Sequence, residues 1–404
     1  MKIFQISSEL NSGSVGRIAE QIGESVLNEG WESHIAFARD HQPSSSTSYK
    51  IGTKIDLYYH AIYTRLTDRH GFASRNATIK LIKKIEEIRP DLIQLQHLHG
   101  YYINIKILFD YLSKFDIPVV WTFHDCWSFT GHCTHYEFID CQKWQSQCKN
   151  CPQKREYPSS FLDSSYDNYK DKKNLFNSVS NLTIVPVSMW LGEEVKKSFL
   201  KNQKVNIIHN GVDLDKFKPT YNRKILAIHH LENEFIILGV ASPWTEKKGL
   251  QHFLDLSLKL DHNFQIILIG LDKKQIKNLP LNIIGIERTN NVQQLAEYYT
   301  LANVFINPTL EEALGMTNLE AQACGTPVIT FKSGGAPETV SENTGIVLEK
   351  AHSNQLYNAV MSIKDKKSFY SSDLCRNFVL QNFDKTKCFS KYISLYKELL
   401  QVNN

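Results

Sequence analysis

Residues 303–338, NVFINPTLEEALGMTNLEAQACGTPVITFKSGGAPE, constrain this chain more tightly than any other stretch. The apolar run 303–307 meets Pro308 and reads as a short buried parallel strand ending in a loop over 308–316. Thr317-x-x-Glu320 predicts a capping box, with the Thr317 hydroxyl accepting an amide and Glu320 reaching back to the cap. Gly325 and Pro327 stop that helix, and Val328 opens a second strand. Strand, loop and helix start in this order leave backbone amides and the positive dipole end at the carboxyl edge of a sheet, where an anion is stabilised. Gly315, Met316, Thr317 and Asn318 carry those amides. Glu312 and Glu320 add carboxylates that accept hydrogen bonds from hydroxyls, so the unit suits a ligand with both phosphate and sugar. Plainer roles stand beside these: Glu320 as a cap alone, Glu312 as a solvated loop charge.

Glu312-x7-Glu320 followed by Ala-x-Ala-Cys-Gly-Thr-Pro-Val-Ile resembles the nucleotide-sugar signature of retaining GT-B glycosyltransferases of glycosyltransferase family 4, the glycosyl transferases group 1. The resemblance implies an α/β protein with the GT-B fold, two Rossmann-like domains facing each other across a cleft. Length agrees, since 404 residues suit two domains of about 200. Hydrophobic content of 42% and charged content of 22% are those of an ordinary globular protein, and a net charge of +4 gives no case for nucleic acid. The start MKIFQISSEL reads as a first strand rather than a signal peptide, and no apolar run approaches a membrane span. A cytoplasmic location is expected, with thiols reduced unless they hold metal.

The expected boundaries are 1–209 for an N-terminal acceptor-side domain, 210–386 for a nucleotide-sugar-binding domain, and 387–404 for a helix crossing back. In the first domain, strand 2–7 leads to Gly13-Ser14-Val15-Gly16 and a helix over 17–29, a Rossmann-like start without the G-x-G-x-x-G fingerprint. The resemblance implies that Gly13 and Gly16 form a loop admitting sugar and phosphates, with Arg17 beside it. Residues 41–49 read as a Ser-rich loop of little chemical content. Helical patterns follow at 55–68 and 76–88, and the second carries Lys80, Lys83 and Lys84 on a face that is solvated or touches a membrane surface. Strands 91–97 and 118–123 end in His97-Leu98-His99 and His124-Asp125, where open α/β sheets bind ligands. Thr122-Phe123-His124-Asp125 resembles the family motif whose histidine stands beside the donor sugar, which implies a catalytic role for His124.

Five of the eight cysteines fall in the insertion 126–151. Cys148-x-x-Cys151 has zinc-knuckle spacing, and Cys133 with Cys141 completes a four-thiolate structural site, with His132, His135 and Cys126 as further candidates. Free thiols or disulfides are the alternatives.

Asn210-Gly211-Val212-Asp213 resembles the family's crossover between domains. Asp213-Leu214-Asp215 is formally a metal-binding DxD, but it sits in a linker turn and is discounted. Lys247-Lys248-Gly249 opens a helix after strand 235–241, and Lys248 is placed to hold a diphosphate. The family has an arginine just before; here stand Ser242, Pro243 and Trp244, leaving Lys247 or Arg17 as substitutes.

The expected function is a retaining hexosyltransferase of class EC 2.4. It would move a sugar from a UDP- or GDP-sugar to a hydroxyl of a glycan or polyprenyl-linked acceptor in bacterial surface polysaccharide biosynthesis. The expected location is the cytoplasm, at the inner face of the membrane, with peripheral contact. Glu312 would position the sugar and Glu320 the ribose, with no catalytic metal and structural zinc only. The rivals are a sugar-nucleotide epimerase on the same fold and a catalytically silent nucleotide-sugar-binding subunit.

Overall fold

The computed structural model describes residues 1–229, 231, 233–349 and 353–401. Two compact units emerge: Met1–His209 with Phe389–Asn404, and Asn210–Cys388. Residues 402–404 of the expected C-terminal segment lie outside the described residues.

The first unit holds strands β1 (Lys2–Ile6), β2 (Glu32–Phe37), β3 (Thr47–Lys50), β4 (Leu92–Leu95), β5 (Val119–Phe123), β6 (Leu182–Pro186) and β7 (Lys204–Val205). Its helices are α1 (Gly13–Asn28), α2 (Lys54–Thr67), α3 (Arg75–Ile88), α4 (Ile105–Leu112), α5 (Ser165–Phe176) and α6 (Met189–Lys197). All its strand pairs are parallel, in the order β3-β2-β1-β4-β5-β6-β7. Strand order therefore reverses between β1 and β4, which opens a crevice at their carboxyl ends.

The second unit holds α7 (Arg223–His229), β8 (Phe235–Val240), α8 (Leu250–Ser257), β9 (Phe264–Ile269), α9 (Lys273–Lys277), β10 (Ile283–Ile286) and α10 (Val292–Leu301). It continues with β11 (Val304–Asn307), α11 (Met316–Ala323), β12 (Val328–Phe331), β13 (Gly345–Leu348), α12 (Ser353–Asp365) and α13 (Ser372–Asn382). Helix α14 (Lys385–Gln401) starts here and ends in the first unit. The order β10-β9-β8-β11-β12-β13 is again parallel and reverses between β8 and β11.

Apolar runs make these strands because both faces of a parallel sheet are covered. In the first unit Ile3, Ile18, Val120 and Val185 pack with Phe389, Tyr392, Ile393 and Tyr396 of α14. In the second, Ile237, Leu268, Val304 and Ile329 meet Phe253, Leu356 and Val360 from α8 and α12.

The Ser-rich stretch is not a featureless loop. It ends in β3, paired with β2 from His34↔Thr47 onward. Buried Glu20 of α1 accepts from the Ser44 hydroxyl at 2.5 Å and the Ser45 amide at 2.6 Å, and buried Ser33 and Ser46 bond at 2.8 Å. Each serine satisfies a buried polar group, so composition alone misjudged the segment.

Candidate functional site

At the β8/β11 switch of the second unit, the loop after β11 runs past the turn Glu246–Lys248. Gly249 lets them touch: its φ is +76°, and a Cβ there would lie 2.3 Å from the Pro308 carbonyl. The Leu310 amide then donates to the Lys247 carbonyl at 2.8 Å. Two lysine–glutamate pairs result, Lys247 with Glu311 and Lys248 with Glu312, each at 3.1 Å. The Lys247–Glu311 pair was not foreseen from sequence, although the doublets Lys247-Lys248 and Glu311-Glu312 were its signal.

Helix α11 starts two residues earlier than a Thr317 cap requires. Its cap is Gly315 at φ +95°, with no side-chain cap bond, which corrects the capping-box reading. A left-handed glycine makes the sharp entry itself, leaving Thr317 inside the first turn. The Asn318 amide is satisfied by the Gly315 carbonyl at 3.0 Å, while the amides of Gly315, Met316 and Thr317 meet no acceptor among the described residues. These are the donors an anion would use. The Asn318 side chain is buried, accepting from Asn307 and donating to Thr339, both at 2.9 Å, so it braces the loop. Glu320 accepts from the Tyr299 hydroxyl at 3.2 Å instead of capping. Burial and Glu320 push Tyr299 well above its usual range, so it remains a donor.

Where the family's arginine would stand, Trp244 is buried and donates to the Ile269 carbonyl at 2.9 Å, acting as core. Asp213 is paired with Lys385 at 2.8 Å and Lys216 at 3.3 Å, a structural use for the discounted DxD.

In the first unit, Gly13 and Gly16 lie in the first turn of α1 rather than in a loop before it. Glu9 occupies the space their missing side chains leave. A Cβ on Gly13 would meet its carboxylate at 2.1 Å, and one on Gly16 would meet its backbone at 3.0 Å. Burial raises the Glu9 carboxyl above its usual range, against opposing pulls from Arg39, Arg17 and His99. Sequence reading passed Glu9 over; its place after β1 and before two glycines was the available signal. Arg17 is exposed and its Nε donates to the Gly13 carbonyl at 2.7 Å.

His124 follows β5. A buried chain fixes its ring: Gln5 Nε2 donates to the Ala19 carbonyl at 2.9 Å, and Gln96 Nε2 donates to Gln5 Oε1 at 3.1 Å. Gln96 Oε1 must then accept from His124 Nε2 at 2.8 Å. Because a carbonyl only accepts, Ala19 sets both amide orientations and the Nε2–H tautomer. Burial lowers the ring's pKa to about 4, so it is neutral near pH 7 with an unprotonated Nδ1. Beside it, Asp125 accepts from His99 at 2.6 Å, with His97 at 3.4 Å. His97, His99 and Asp125 present ligand atoms within 4.8 Å of one another, the arrangement of that kind found among the described residues.

The insertion brings Cys133, Cys141, Cys148 and Cys151 to the walls of one small cavity, with His132. None of the eight cysteines forms a disulfide. The Gly131 amide donates to Cys148 Sγ at 3.2 Å, and a Cβ on Gly131 would lie 2.7 Å from Cys148 Cβ. Buried Lys172 stands behind, donating to the Trp127 carbonyl at 2.8 Å and the Thr130 carbonyl at 3.2 Å.

Comparison with known proteins now decides the family. The profile of Glycosyltransferase Family 4 matches residues 15–216, half of the chain, and that of Glycosyl transferases group 1 matches 234–365. The chain belongs to Glycosyltransferase Family 4. Among curated relatives of this family 4 chain is the putative colanic acid biosynthesis glycosyl transferase WcaC of Escherichia coli K12. It is 25% identical over 53% of this chain and 55% of its own length. Another is the E. coli UDP-Gal:alpha-D-GlcNAc-diphosphoundecaprenol alpha-1,3-galactosyltransferase, 26% identical over 51% and 57%. The chain thus spans little more than half the length of these relatives. Among solved structures, sucrose-phosphate synthase of Thermosynechococcus elongatus superposes with a TM-score of 0.71 at 17% identity, over 99% of both chains. Anabaena HepE in complex with UDP gives 0.67 at 15%, over 98% and 99%. The fold is that of GT-B glycosyltransferases.

Proposed function

We propose that this chain is a retaining glycosyltransferase that moves a sugar from a nucleoside-diphosphate sugar to a hydroxyl of a glycan or lipid-linked glycan in surface polysaccharide assembly. One observation carries the reading: Lys248 and Glu312 meet beside the unsatisfied first-turn amides of α11. The pair is partly exposed and contributes at most about 1 kcal/mol, so a diphosphate displaces Glu312 from Lys248 at little cost. Lys248 and the amides of Gly315, Met316 and Thr317 then stabilise the charge that builds on the leaving diphosphate. Glu312, released, accepts from the donor sugar. Glu320, steadied by Tyr299, accepts from the ribose. His124 would keep the catalytic role that the family motif implies, as a neutral ring. No carboxylate is assigned as covalent nucleophile: the incoming hydroxyl would bond to the anomeric carbon on the face the diphosphate leaves, as the bond to the phosphate oxygen breaks and that oxygen takes the hydroxyl proton. The relatives' names support a polysaccharide role and a diphosphate-linked lipid acceptor, and HepE's complex supports UDP as the nucleotide.

Thermal unfolding against UDP, GDP and ADP, each alone and as sugar conjugates, tests this. A ligand at about 100 times its Kd adds roughly 2.7 kcal/mol, an upward shift of several degrees. A shift with one series, followed by sugar transfer from that donor, supports the reading; no shift with any series defeats it.

The four cysteines of the insertion would hold zinc as a structural cross-link. The four residues line one cavity, the Cys133 and Cys151 side chains hydrogen-bond to each other, and an amide hydrogen bond supports Cys148. Elemental analysis should find about one zinc per chain, falling in Cys148→Ser. Metal-free protein of unchanged thermal stability would end this part of the proposal.

A further inference from the structure

Helix α2 is amphipathic in an unusual sense: its large apolar side chains face solvent. Ile55, Tyr58, Tyr59, Ile62 and Leu66 are 79%, 72%, 60%, 61% and 55% exposed; Ile55, Tyr58, Ile62 and Leu66 recur every three or four residues along one stripe, and Tyr59 widens it. Only His60 and Thr64 of this helix are buried. Beside the stripe, Phe161 and Leu162 are 66% and 58% exposed. Their loop is fastened to the end of α2: the Phe161 amide donates to the Arg65 carbonyl at 2.9 Å and Arg65 lies over the Phe161 ring. Neighbouring α3, whose lysines drew attention in the sequence, turns Leu81 and Ile85 inward.

Cations frame this surface. Lys54 opens α2 and Arg65 stands near its end, while Asp56 is held by the Thr53 cap. A cavity of about 320 Å³ adjoins the helix, walled by Leu57, Tyr58 and Tyr101, with Arg39, Lys50 and Lys54 against Asp40. Three cations to one carboxylate leave it positive. Apolar and aromatic side chains bordered by cations match the boundary between acyl chains and anionic headgroups. A second copy of the chain would bring the same cations and be repelled.

We infer that the α2 stripe, with Phe161 and Leu162, docks on an anionic lipid bilayer, and that the Arg39–Lys50–Lys54 cavity receives a lipid headgroup. The inference rests on the proposed function only for its purpose, carrying the chain to a lipid-linked acceptor.

The experiment is co-sedimentation of the full chain with vesicles of phosphatidylcholine, alone or with phosphatidylglycerol. Binding should need the anionic lipid and weaken with salt. Tyr58→Glu with Ile62→Glu should cut partitioning by about tenfold or more, and Lys54→Glu with Arg65→Glu should remove the salt-sensitive part. Both pairs are exposed, so circular dichroism should match the wild type. Equal partitioning of the variants, or no binding at low salt, overturns the inference. So does light scattering that shows a dimer broken by Ile62→Glu, since a second copy would then cover the stripe. Nucleotide-induced thermal shifts should persist in these variants. Loss of vesicle binding with shifts intact separates this inference from the glycosyltransfer reading.

Discussion

Lys248 and Glu312 pair at 3.1 Å, and the proposed function gives them separate duties toward phosphate and sugar, so the two should fail differently on substitution. Glu312→Gln keeps shape and removes charge; it should lower kcat by about 100-fold or more, read by steady-state transfer assays. Lys248→Ala should chiefly raise the donor KM, read in the same assay. The wiring of His124 gives a sharper test. Gln96→Glu sets a carboxylate against the ring and should raise its pKa from about 4 by more than a unit, followed by ring ¹⁵N shifts. A wild-type ring protonated at Nδ1 would contradict the Ala19-to-His124 chain. Gly249→Ala forces a Cβ onto the Pro308 carbonyl at φ +76° and should cost about 1–3 kcal/mol in urea unfolding from backbone strain alone. Much of this was legible in the sequence, because an acid or a lysine after an apolar run points to a sheet edge. The partners were not: which glutamate meets which lysine, and that Glu9 fills the hollow of two glycines, depend on how loops fold back.

Short apolar runs announced the buried parallel strands β8, β11 and β12, since continuous burial needs no alternation. Turns and caps were less transparent. A left-handed glycine can start a helix as well as a threonine can, and the tetrad Gly-Met-Thr-Asn allows both at α11. β3 escaped notice because it is a short, mostly exposed edge strand of polar residues, tied in by pairing with β2 and by the Tyr49–His34 hydrogen bond, which only the folded sheet creates. Helix α2 shows a further limit, for periodicity reveals that a helix has an apolar face but not whether the fold covers it. Within the cysteine insertion, Cys133→Ser should lower the thermal midpoint by several degrees in zinc-loaded protein, read by calorimetry, because a structural ion's binding energy is folding energy. The same substitution should leave chelator-treated protein almost unchanged.

Several histidines are stored neutral in the first unit. Burial lowers His60 to about 3 and His124 to about 4, and places His70 and His97 well below their usual value. Unfolded, these rings take up protons near pH 6.5 while the folded ones do not. The stabilisation is therefore whole above about pH 6.5 and declines on acidification toward pH 4, by up to about 1.4 kcal/mol per pH unit for each ring. His132 works the other way: burial would lower it, but Asp68 raises it, so its contribution fades as pH rises. The urea midpoint should be clearly lower at pH 5.0 than at pH 7.5; equal midpoints would show the rings to be solvated. The core of the first unit also depends on a distant part of the chain, because Phe389, Tyr392 and Tyr396 fill it alongside Ile3 and Val120. On the ribosome, those side chains emerge only after the entire second unit has been made. The amino-terminal sheet must wait with an open hydrophobic face while its neighbour is synthesised, and a stop just before Phe389 would leave the second unit whole while stripping the first of part of its core.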